Sequence, residues 1–183
     1  VYNPRVGMHG FVVIDNTALG PGKGGIRMTP TVSMPEVLKL ARTMTWKTAM
    51  AELPFGGAKS GIVADPKQIS KEHKLEMIRA FSEAIQSVCP AEYVAAPDIS
   101  TAEQEMAVFA KANGNLKSTT GKPVEMGGLP HELGSTGFGL YHATQVAAKF
   151  AKIELKKAKV AVEGFGNVGT FAVKFLEEAG AKI

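Results

Sequence analysis

The spacing of apolar and polar positions changes repeatedly along the chain, and each change predicts a switch between strand and helix. Residues 8–15 (MHGFVVID) read as a strand, and the turn-rich NTALGPGKGG follows it. Ile26 to Thr29 reads as a short second strand. From Ser33 the period lengthens, and Val37, Leu40, Ala41, Met44 and Thr48 form one apolar stripe of a helix running to about Met50. Ser33 followed by Glu36 has the form of a capping box, and Pro35 is tolerated in a first turn whose amides have no internal partner. A strand is predicted over Ser60–Asp65, closed by Pro66. Ser70 then caps a helix with Leu75, Ile78, Phe81, Ile85 and Val88 inward. Tyr93–Ala96 is another short strand, running into Pro97-Asp98. Thr101, with Gln104 behind it, caps a helix to Asn113. Past a loop rich in Gly, Pro, Thr and Ser at 114–134, the pattern gives a helix over 136–152, a strand over 159–163 and a helix over 167–179.

Strands that alternate with helices imply an α/β protein with a mostly parallel sheet flanked by helices. The Gly-rich loop at 121–134 is the candidate hinge between a first domain (1–130) and a second (131–183). Composition adds little, since 183 residues, 45% hydrophobic and 21% charged, are ordinary for a globular chain. No apolar run approaches the roughly 18 residues of a membrane span. Val1–Arg5 has neither the basic start nor the apolar core of an export signal, so neither membrane nor export is expected. The net charge of +4 is mild, and its densest stretch holds Lys149, Lys152, Lys156, Lys157 and Lys159. Glu154 interrupts that stretch and no aromatics interleave it, so it reads as an exposed helix end rather than a nucleic-acid surface. The single cysteine, Cys89, placed at the end of a predicted helix, cannot form an internal disulfide. It reads as a buried structural residue in a reduced, cytoplasmic setting.

Gly164, Gly166 and Gly169 form a G-x-G-x-x-G run between the strand KVAVE and a helical pattern. The first glycine permits a tight turn, the second lets backbone approach a pyrophosphate, and the third lets helix pack on strand. The context matches the opening strand and helix of a Rossmann domain. Ile183 falls where the next strand would begin, and the acidic residue expected about 20 positions beyond the glycines is not reached. The chain is therefore expected to be part of a longer protein and a poor dinucleotide binder alone.

Three lysines occupy settings that polar surfaces rarely supply: Lys23 in GPGKGGIR, Lys47 in TMTWKTAM and Lys59 in LPFGGAKSG. Each has a plain alternative, Lys47 snorkelling from an apolar helix and Lys23 solvated in a loop. Together with YVAAPDIST, TGKPVEMGG, GSTGFG and VEGFGNVG, in this order, these stretches resemble the glutamate, leucine, phenylalanine and valine dehydrogenase family over nearly the whole chain. The resemblance implies that Lys59 is the catalytic acid/base and that Asp98 shuttles protons to and from the amino nitrogen. Lys47 would bind the α-carboxylate, and Lys23, with Gly24 and Gly25, the side-chain carboxylate. Thr136 and Asn167 would approach the nicotinamide of NAD or NADP, with Gly164, Gly166 and Gly169 at its pyrophosphate. It further implies a hexamer, built largely through the first domain; no metal site is expected.

Elementary chemistry agrees with those roles. A dicarboxylate needs two separated cations, and a third amine must lose its proton near neutral pH. Crowded like charges and exclusion of water both lower a lysine pKa from about 10.4. The leucine and phenylalanine enzymes carry an apolar residue at the position of Lys23, where an unpaired ammonium would be desolvated without compensation. Oxidative deamination of L-glutamate to 2-oxoglutarate and ammonium is therefore the expected reaction. There are departures from the family's pattern: Ser60 follows the lysine where glycine is usual, Ala95 replaces the first proline of P-A-P-D, and Ser100 replaces glycine or asparagine. GGLPHELGSTGFG also differs from the usual form, and its His131 reads as a structural or solvated loop residue rather than an acid/base. A dehydrogenase of another amino acid and a non-catalytic domain that binds a carboxylate or only assembles are the alternatives.

Overall fold

The computed structural model describes residues 1–130 and 133–183, which divide into two compact units, Val1–Leu129 and Pro130–Ile183. His131 lies outside the described residues.

The first unit is built on strands β1 (Tyr2–Asn3), β2 (Met8–Asn16), β3 (Gly22–Thr29), β4 (Gly56–Val63) and β5 (Tyr93–Pro97), with helices α1 (Met34–Met50), α2 (Lys71–Ala84) and α3 (Glu103–Asn113). They form one mixed sheet in the order β1-β2-β4-β3-β5. β4, β3 and β5 run parallel, and β2 alone runs against the rest. The α/β class is as expected, with the parallel pairings confined to the three strands that carry the lysine and aspartate motifs.

Two of these strands begin earlier than the apolar pattern predicts. The glycines around Lys23 and Lys59 read as turns, yet they lie inside β3 and β4. They are there for close approach, not for bending. A Cβ on Gly24 would run into the backbone of Ala58 on β4, and one on Gly57 into the backbone of Thr45 on α1. β4 is buried along almost its whole length, as its central place in the sheet requires.

Strand alternation then separates apolar from chemical positions. Ile26 and Met28 of β3, Ala58 and Ile62 of β4, and Tyr93 and Ala95 of β5 join the core with Ile78 and Phe81 of α2 and Met106 and Phe109 of α3. The alternate positions of β4 face α1: Gly57 lies against Thr45, and Gly61 against Val32 and Val37. Lys59 falls between them.

Helix starts differ from expectation in instructive ways. α1 does begin after Ser33, but the Ser33 side chain makes no capping hydrogen bond, and Glu36 pairs with Arg27 at 2.7 Å instead of closing a box. α3 starts two residues late, at Glu103. Its capping contact is the Ala102 amide donating to Glu105 at 2.8 Å, so neither Thr101 nor Gln104 caps it. Ser70 caps α2 as expected, accepting from the His73 amide at 3.1 Å. α2 ends at Ala84, so Cys89 sits in the following turn, buried, and donates to the Ser118 carbonyl at 3.5 Å.

In the second unit, α4 (Ser135–Phe150) packs on α5 (Asn167–Glu178). A Cβ on Gly137 would strike Phe171 and Ala172, and Phe138 meets Phe175 edge-on at 5.2 Å. The strand predicted over Lys159–Glu163 reduces to one parallel bridge between Lys159 and Lys182. Val160 donates to the Lys182 carbonyl and Lys182 to the Ala158 carbonyl.

Candidate active site

Lys59 is carried into the protein by the central strand and is 5% exposed. A buried ammonium needs a partner, and Lys59 finds one in Asp98, its Nζ donating to Oδ1 at 2.9 Å. Asp98 follows directly on β5, in a turn pinned to β3 by Thr101. The Thr101 hydroxyl accepts from the Asp98 amide at 2.9 Å and donates to the Ile26 carbonyl at 2.8 Å. Thr101, predicted as a helix cap, thus serves the aspartate. The turn holds Ser100 at a φ of 64°, the left-handed region in which glycine and asparagine are favoured.

Asp98 has a second cation that the motif reading missed. Arg27 Nε donates to Asp98 Oδ2 at 2.8 Å, and its Nη1 to Glu36 at 2.7 Å. Burial alone would raise the Asp98 carboxyl, but the hydrogen bonds from Lys59 and Arg27 outweigh it and hold the pKa below the ordinary carboxylate range. The signal was present in GGIR: Arg27 alternates with the core residues Ile26 and Met28, so it had to leave the core face.

Lys23 enters from the start of β3, reaches across β5 and donates to the Ala95 carbonyl at 2.6 Å. Burial, followed by the like charges of Lys122, Lys47 and Lys59, pushes its pKa down to about 7. Lys47, on the last turn of α1, is exposed and makes no hydrogen bond or ion pair among the described residues, though its charge is felt at Lys23. The structure therefore brings Lys59 and Asp98 into contact and sets Lys23 and Lys47 within electrostatic reach, with Gly24 and Gly25 buried in β3 next to Lys23. A Cβ on Gly25 would meet the Asp98 Cβ, so that glycine is what lets the aspartate sit against β3.

Beneath this site, Tyr93 donates to the Gly24 carbonyl at 2.9 Å and lies 2.7 Å from the Ser60 hydroxyl. Because the tyrosine proton is committed to Gly24, Ser60 is the donor to Tyr93. The serine that departs from the family's usual glycine thus has a partner.

In the second unit, Gly164 has a φ of 90°, and a Cβ on Gly169 would run into the Gly164 carbonyl, so both positions demand glycine. Gly166 is the N-cap of α5 with open space beside it, and Asn167 is that helix's first residue. An open, glycine-lined helix N-terminus fits a phosphate group. Thr136 is exposed in the first turn of α4.

A buried lysine–aspartate pair carried by parallel strands, with further lysines in electrostatic reach, is chemically able to attract an anion and exchange a proton. The family profile for the Glu/Leu/Phe/Val dehydrogenase dimerisation domain matches residues 5–114, and that for glutamate/leucine/phenylalanine/valine dehydrogenase matches 127–183. The chain is 41% identical over 175 residues to an NADP-specific glutamate dehydrogenase of Saccharolobus shibatae, covering 92% of this chain and 41% of the relative. It is 40% identical over 181 residues to an NAD-specific glutamate dehydrogenase of Staphylococcus aureus, covering 95% and 44%. The fold superposes with a TM-score of 0.86 and 31% identity on a hetero-hexameric glutamate dehydrogenase of Thermus thermophilus in its leucine-bound form, over 95% of this chain and 44% of that one. The chain belongs to the glutamate/leucine/phenylalanine/valine dehydrogenase family, and it spans less than half the length of these relatives.

Proposed function

We propose that the protein carrying this chain oxidatively deaminates L-glutamate to 2-oxoglutarate and ammonium with NAD or NADP, as an oligomer in the cytoplasm. The observation that carries this reading is the buried Lys59–Asp98 contact at 2.9 Å with Lys23 and Lys47 in electrostatic reach. Relatives named for both nucleotides and for glutamate support it, as does the hetero-hexameric neighbour.

In this reading Lys23 holds the side-chain carboxylate and Lys47 the α-carboxylate. Between them, they set the α-carbon over Lys59. The dinucleotide, when bound, supplies the hydride acceptor; Gly164, Gly166, Gly169 and Asn167 would hold it at the N-terminus of α5, with Thr136 nearer its nicotinamide. Lys59, as the free amine, takes a proton from water as the oxygen adds to the substrate's iminium carbon. Lys59 hands that proton to Asp98, which delivers it to the amino nitrogen; ammonia then leaves as the new hydroxyl gives its remaining proton to Lys59 and becomes the carbonyl. Arg27 occupies the second oxygen of Asp98, which divides that carboxylate's charge and loosens its hold on the Lys59 proton. Arg27 also lowers the proton affinity of Asp98, so a proton that reaches the carboxyl is given up readily to the amino nitrogen.

The test is an initial-rate panel of amino acids with each nucleotide on the protein at its full encoded length. Glutamate is expected to have the highest kcat/KM, and Asp98→Asn to lower kcat by a factor on the order of 100 or more with little change in KM. Preference for an apolar amino acid would transfer the reading to the alternative dehydrogenase. Glutamate binding without turnover would make it a binding domain.

A further inference from the structure

We propose that Lys122 is a second ammonium for the distal carboxylate of the substrate, seated beside Lys23 and acting as a specificity residue. The proposal rests on the diacid reading of the site given above. The two lysines come from distant parts of the chain, Lys23 from the start of β3 and Lys122 from the loop after α3, yet a single amide link, 119–120, joins the carbonyl oxygens that hold them. Ala95 and Thr119 form an isolated parallel bridge. The Ala95 carbonyl accepts from Lys23 Nζ at 2.6 Å and from the Thr120 amide at 3.0 Å. The Thr119 carbonyl accepts from Lys122 Nζ at 2.8 Å. Gly121 lies so close to the Pro97 ring that a Cβ there would collide with it, which fixes the Lys122 loop along the end of β5 next to Asp98.

Neither amine has a carboxylate partner among the described residues, whereas the buried Lys59 has Asp98 and the half-buried Lys74 has Glu105. Two ammonium groups held on neutral carbonyls in a partly dry rim repel each other, and an incoming carboxylate relieves that repulsion while replacing weak acceptors with a strong one. Consistent with this, the charge of Lys122 acts on Lys23 more strongly than that of Lys47 or Lys59. In the same reading Lys47 holds the α-carboxylate, so Lys122 bears on which side chain is accepted rather than on whether an amino acid binds.

The test compares glutamate with norvaline, which has the same carbon chain without the distal carboxylate, in the full-length protein. It is accompanied by calorimetric binding of 2-oxoglutarate and 2-oxovalerate near pH 6, where Lys23 is expected to hold its proton with or without Lys122. Lys122→Met is expected to raise KM for glutamate and the dissociation constant for 2-oxoglutarate about tenfold, from loss of one charge-assisted hydrogen bond. The norvaline and 2-oxovalerate constants should not move, and Lys122→Arg should restore most of the diacid affinity. Equal losses on both substrates, or no rescue by arginine, would reduce Lys122 to loop support and overturn the proposal; so would an unchanged glutamate KM. The two readings fail separately. Lys122-dependent diacid binding without turnover sinks the dehydrogenase assignment alone, and glutamate turnover indifferent to Lys122 sinks only this one.

Discussion

At the level of single residues, the site is a set of charges whose protonation is set by burial and neighbours. Lys23 gives the clearest pH signature. Its pKa in the folded chain is about 7 against an ordinary 10.5, so between these pH values the unfolded chain holds the proton that the folded chain has released. Stability contributed by this group therefore rises with pH across that window and is least below pH 7. The buried Cys89 thiol, pushed up to about 11, opposes it only above pH 9. Thermal melts between pH 7 and 9 should show Lys23→Met losing that upward slope, and a slope that survives the substitution would mean that Lys23 does not cause it. Ser100 offers a second check. Its left-handed φ costs on the order of 1 kcal/mol relative to glycine. Ser100→Gly should raise the denaturation midpoint by up to that amount, less the entropy that glycine adds to the unfolded chain; a lowered midpoint would show that the Ser100 side chain carries a contact worth more than the strain. Three of the residues singled out in the sequence, Lys23, Lys59 and Asp98, are readable because glycine runs or an A-P-D step mark them. Arg27 and Lys122 are not, since each is an ordinary basic residue until the fold shows which carbonyl or carboxylate it reaches.

At the level of elements, what positions the chemistry is the closeness of α1 to β4. The glycines at 57 and 61 let the helix lie on the strand with Lys59 between them, and Asp15 anchors the helix from β2 by accepting from Arg42 at 2.8 Å and from Thr45 at 2.6 Å. Gly57→Ala puts a methyl group into the Thr45 backbone and is expected to cost about 1–3 kcal/mol in urea denaturation. It should also displace Lys47, which rides on the same helix, and so raise KM for glutamate. An unchanged midpoint would mean that the helix can move without loss. The apolar stripes of α1 and α2 were legible because periodicity survives any tertiary context: Val37, Ala41 and Thr48 are buried as expected. The starts of β3 and β4 were not, because a glycine run looks the same whether it bends the chain or lets two backbones touch. The caps at Ser33 and Thr101 failed for a related reason. Glu36 and the Thr101 hydroxyl had better partners across the fold, in Arg27 and the Asp98 turn, than along their own helices.

At the level of the whole molecule, the two units differ in how much they bury. Every residue of the hydrophobic core cluster, with Tyr93, Phe81 and Phe109 the largest fully buried side chains, belongs to the first unit. In the second, Phe150 is 85% exposed and Phe165 is 74% exposed, and few side chains are buried. Hydrogen exchange should therefore be slowest in β3 and β4 and much faster throughout α4 and α5, because local opening is easiest where little apolar surface is lost. Equal protection in both units would refute this ranking. The sequence alone determined the α/β class, the order of the five helices, the family and the motifs that single out Lys59 and Asp98, since hydrophobic period and glycine-flanked motifs are local and survive in one dimension. Only the tertiary structure decided the mixed sheet order, the Arg27 hold on Asp98 and the approach of Lys122 to Lys23. These depend on which distant backbone groups become neighbours, and a donor's partner is chosen by distance in space rather than by position along the chain.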